Sequence, residues 1–270
     1  MPLIHMLFFL ACSSDDSANT SKPAPTKEFG KVDVADLEQI ADEVEVIPSP
    51  LKMREQLSKA SINVKLGEYV SKRDLPDLSM EDKSRVAINT GVLLTDLVLT
   101  VETAEAAQLT DILKALKTGF ATLQTGNDIQ VTLDDLLSTV QGEDLNREAL
   151  LSELDLLSSV IVPELKSETG AWAVPLIQAG AWLEGVNIIS KVVQDEKKYS
   201  EGGALFHHPG IAPYFIRYLK QAGDEKFTAS IVDQTVEALN KLDSFGKKKT
   251  LSEDEVNEVQ KITSELISFI

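Results

Sequence analysis

Apolar residues recur along most of this chain at the three- and four-residue spacing of amphipathic helices, and no stretch alternates as a strand does. The exception to that periodicity is Gly170 to Val193, GAWAVPLIQAGAWLEGVNIISKVV, which is apolar on all sides and carries one charge, Glu184, before Lys191. Helices that are hydrophobic all round are buried, so this stretch, running on to about Lys198, is expected as a central helix. A second buried helix is expected in the segment that ends near Val101, where from Gly91 on only Thr95, Asp96 and Thr100 interrupt the apolar run.

The remaining elements follow from spacing and punctuation. Asp33 can cap a short helix to about Val44, and Pro48-Ser49-Pro50 ends it and starts another, reaching about Ala60. Residues 62–78 are ambiguous, broken by Gly67 and Pro76. Ser79-Met-Glu-Asp82 has capping-box form and predicts the start of the second buried helix. Glu105–Leu123 repeats cleanly through Leu109, Ile112, Leu113, Leu116 and Phe120. Gly126-Asn127-Asp128 predicts a turn, with Thr132 and Asp135 spaced to cap a short helix to about Val140. Asn146–Val162 is amphipathic and meets Pro163, after which Glu164–Glu168 could continue. Gly202-Gly203 with His207-His208-Pro209-Gly210 predicts the longest loop. Helices over Pro213–Gln221, from Asp224 to about Leu242, and from Ser252 to the end complete the pattern. The expectation is an all-α, bundle-like single domain of about nine to eleven helices around two buried central ones. No repeat family's period is visible, but one echo is: Asn89-Thr-Gly91 with Asp96, and Gln178-Ala-Gly180 with Glu184. It is read as two related halves or as chance.

The beginning of the chain changes the picture. Leu3–Leu10 is too short to span a bilayer and of the right size for the apolar part of an export signal. It ends in Phe9-Leu10-Ala11-Cys12, and Cys12 is the only cysteine of the 270 residues. This resembles a bacterial lipoprotein signal, in which a Cys carries lipid after cleavage. Residues 1–11 are thus expected as signal, 12–32 as lipidated Cys and polar tether, and 33–270 as the helical domain. Ser13 after the Cys resembles outer-membrane sorting. With 43 acidic against 26 basic residues the formal net charge is −17, which disfavours binding to nucleic acid or an anionic surface through bulk charge.

Two segments carry a further resemblance. Asn89-Thr-Gly91-Val-Leu-Leu-Thr-Asp96-Leu97 is similar to L-N-x-G-V-Y-x-x-D-L, and Gly180-Ala-Trp182-Leu-Glu184-Gly185-Val-Asn187 to G-x-W-[VI]-E-G-x-Y. Ile47-Pro48-Ser49-Pro50 is a shorter match. The patterns are those of uncharacterised all-helical lipoproteins of Bacteroidetes-type bacteria. Leu93 and Asn187 stand where that family usually has Tyr. The resemblance implies fold and export and brings no activity.

Asp96 and Glu184 are the polar groups placed where polarity costs most, since a buried carboxylate must be paired, hydrogen-bonded or protonated. One reading is a polar pocket between the central helices, built by Asn89, Asp96, Gln178, Trp182, Glu184 and Asn187. The other, preferred, is a structural network that fixes helix register, with the Trp182 N–H or an arginine as partner. His207-His208 suits a solvated turn better than a metal site. No HExxH, GxSxG or Walker motif occurs. No cofactor or metal is expected. The function expected is a lipid-anchored envelope module for binding or scaffolding, with an envelope protein or small ligand as partner; the alternative is an enzyme using Asp96 and Glu184 as an acid/base pair.

Overall fold

The computed structural model describes residues 50–70, 74–142, 144–157, 171–226 and 229–270. The helix expected over residues 33–44, the export signal, the tether and the continuation past Pro163 lie outside them. Two long helices form the centre. Helix α2 is Lys83–Thr100 and α6 is Val174–Glu196. All but three of the 18 residues of α2 are buried, as the apolar run predicts. Around them stand α1 (Pro50–Lys59), α3 (Ala106–Thr122), α4 (Asn127–Gln141), α5 (Arg147–Leu156), α8 (Ile211–Lys226), α9 (Ala229–Gly246) and α10 (Glu253–Phe269), with a short α7 (Tyr199–Gly202). Among the described residues there is no strand, and the fold is all-α. The described residues belong to one compact unit, and their apolar side chains form one continuous core.

The layers follow from which faces are apolar. α6 packs on α2 on one side and on α10 on the other; α3 covers α2, α4 covers α3, and α8 and α9 pair. The predicted stripe of α3 is buried at Leu109, Ile112, Leu113, Leu116 and Phe120, and that of α10 at Val256, Val259, Ile262 and Leu266. Ser252 and Glu255 make the full reciprocal capping box at the start of α10, giving two otherwise orphaned N–H groups a partner. Asn146 caps α5 through the N–H of Ala149.

Four boundaries differ from expectation. Asp82, not Ser79, caps α2: its carboxylate accepts from the N–H groups of Ser84 and Arg85, while Ser79 is held by Asp77 in a local turn. α4 begins at Asn127, well before Thr132, because Ile129 already belongs to its buried face. Thr132 bonds back to the Asp128 carbonyl inside the helix, as hydroxyls in helix interiors do. Asp224 lies within α8 rather than capping α9, since α8 carries on beyond its buried Tyr214, Phe215, Tyr218 and Leu219. The expected loop at residues 202–206 is instead α7 followed by a 3-10 turn, Gly203–Phe206. A Cβ on Gly202 would lie 2.3 Å from the Val193 side chain, and one on Gly203 2.7 Å from the Leu251 backbone. Those two glycines therefore mark close backbone packing rather than a loose connection.

Candidate functional site

Among the described helices, α2 and α6 pack backbone against backbone where they cross, and glycine makes this possible. A Cβ built on Gly91 would stand 1.9 Å from the Ile177 carbonyl oxygen and 2.8 Å from the Ala181 nitrogen. One built on Gly180 would stand 2.0 Å from the Ile88 oxygen and 3.1 Å from the Val92 nitrogen. Each glycine thus faces the residue three before and the residue one after the other glycine, so the contact is locally two-fold. The helices run in the same direction. α10 begins beside the end of α6, where Gln194 bonds to Asn257, and finishes beside the start of α2, where the Asn89 amide reaches the Ile270 main-chain oxygen at 3.5 Å. Thr95 adds a hydroxyl bond to the Ala181 carbonyl at 3.2 Å. The sequence echo of Asn89, Gly91 and Asp96 with Gln178, Gly180 and Glu184 therefore has a spatial counterpart at its glycines.

The two carboxylates have different surroundings. Glu184 is 0% exposed; one of its oxygens accepts from the Asn187 Nδ2 at 3.3 Å. Asn187 is tied in turn by the Ser190 hydroxyl, which donates to its carbonyl at 2.8 Å. Trp182 lies on the α8 side of the core, its ring 5.8 Å from that of Phe215 and tilted 43°, and its buried indole N–H meets no acceptor among the described residues. The indole is thus not the partner expected for Glu184. Asp96 is 3% exposed and lies at the floor of a groove of about 970 Å³. The α2 C-terminal half, α3 and the turn at Leu66–Glu68 enclose it. Asn89, Gln178, Trp182, Glu184 and Asn187 do not line it. The six residues expected as one polar pocket are therefore distributed: Glu184 and Asn187 bonded within α6, Asn89 at the end of α10, Trp182 against α8, Gln178 half-buried, and Asp96 alone of them in the groove.

Most of the groove was not legible from the sequence. Its remaining polar lining includes Glu68 and Tyr69 of the turn and Glu105, Gln108 and Asp111 at the start of α3. Burial, then Asp195, Glu196 and Glu68, push the Tyr69 hydroxyl above its ordinary pKa. The one available signal was Gly67 in the ambiguous stretch. A Cβ there would meet the Thr103 hydroxyl at 2.0 Å and the Leu99 oxygen at 3.1 Å, so glycine lets this turn settle on the end of α2. Arg147 of α5 secures the same end, donating to the carbonyls of Val101 and Ala104, groups that a helix terminus leaves without intrahelical partners.

His207 is exposed, and its Nδ1 donates to the Lys248 carbonyl at 3.0 Å, a bond that joins two connections. Among the described residues no group of three or more His, Cys, Asp or Glu is placed to hold a metal ion. None of the described helices is long and apolar enough to cross a membrane. Comparison with protein-family models, with curated proteins and with solved structures found no match.

Proposed function

We propose that the protein is a lipid-anchored lipoprotein of the cell envelope, held at the outer membrane through Cys12, whose helical domain binds a ligand or partner in the groove above Asp96. The groove carries the binding part of the reading. It is concave, about 970 Å³, within the size range of small-molecule sites, and it mixes apolar walls with a few convergent polar groups. The anchorage part is supported by the apolar run at Leu3–Leu10, the lone cysteine that follows it, and the polar stretch after that. Kinship with the uncharacterised all-helical lipoproteins belongs to the same proposal and rests on the segments around Gly91 and Gly180.

The second reading, an acid/base enzyme, would need Asp96 and Glu184 within reach of one substrate. Asp96 lines the groove and Glu184 does not, which favours binding over that chemistry. The test of anchorage is metabolic labelling with a lipid analogue in a bacterial host. The full chain takes up label and fractionates with membranes, and Cys12→Ala does neither. A Cys12→Ala protein that is still labelled and membrane-bound overturns the proposal.

A further inference from the structure

We draw no further inference here: the strongest candidate, the cleft between α1 and α5 beside the end of α2, carries nothing because its two arginines are already engaged, Arg54 by Glu102 and Arg147 by the Val101 and Ala104 carbonyls, and nothing in the structure shows what covers it.

Discussion

At the scale of single residues, Glu184 shows how a polar group is kept in an apolar helix. Its carboxylate is 0% exposed and shares a hydrogen bond with Asn187 one turn on. Glu184→Ala removes that acceptor and opens a cavity against well-packed neighbours. A loss of about 3 kcal/mol is expected in urea melts, typical of truncating a buried polar partner. Glu184→Gln keeps shape and an acceptor oxygen for the Asn187 amide, and should cost well under half as much. An Ala variant as stable as the parent would show that the carboxylate has no structural part. Glu255 allows a prediction in pH. Lys248 first, and then the capping bonds with Ser252, hold its carboxyl below the usual Glu range. Its contribution is therefore fully present above about pH 4.3, the unfolded value, and lost as pH falls through the lowered folded value. In Glu255→Gln, the stability difference from the parent should shrink across that acid window and vanish below it. A difference that persists unchanged to the acid end would contradict this. The burial of Glu184 was legible because one charge stood in an apolar run. Its partner was not: the Trp182 indole lies on the same helix but turns toward Phe215, and side-chain direction is invisible in spacing alone.

Among the elements, the glycine contact decides the register of α2 and α6. In an exposed helix, Gly→Ala would gain about 1 kcal/mol of helix propensity. At Gly91 or Gly180 the added methyl meets backbone about 2 Å away, and backbone within two paired helices cannot rotate aside as a side chain can. Overpacking of this kind costs about 3 kcal/mol or more, so Gly91→Ala and Gly180→Ala should each be strongly destabilising in thermal and urea melts. Gly142→Ala, where the nearest atom is 3.4 Å away and the backbone is extended, should be close to neutral. Comparable melts for all three would refute close contact at the crossing. Arg147→Ala should cost about 1–2 kcal/mol, because a charged donor to the carbonyls ending α2 is lost. Lys in its place should recover only part, lacking the planar fork. Among the described residues the longer helices were readable from apolar spacing, while the short α7 was read as loop; α3 and α10 match their predicted stripes. The boundaries at Asp82, Asn127 and Asp224 were not readable, because residues able to cap are also tolerated inside helices. Which of them caps depends on where the buried face begins.

For the whole molecule, sequence pattern conveyed class and centre. The two helices expected to be buried on all sides are the central ones, and the fold is all-α. The groove escaped that reading because its walls come from the turn at Leu66–Glu68, from α2 and from α3, none of which looks exceptional alone. Far-ultraviolet circular dichroism of the chain should show a helix-dominated spectrum that a chelator leaves unchanged. A strand-dominated spectrum, or melting on chelator addition, would contradict the architecture.

The direction of the two central helices also has a kinetic consequence. Parallel neighbours cannot be joined by a short turn, and here Gly91 and Gly180 are 89 residues apart in sequence, with α3, α4 and α5 strung between them. This close backbone contact is thus far from local in sequence, and loop-closure entropy must be met before it forms. Neighbouring pairs such as α3 with α4 and α8 with α9 can assemble while the central seam is still open. If the seam closes after the folding barrier, crowding at Gly91 will show almost entirely as faster unfolding, with the refolding rate little changed.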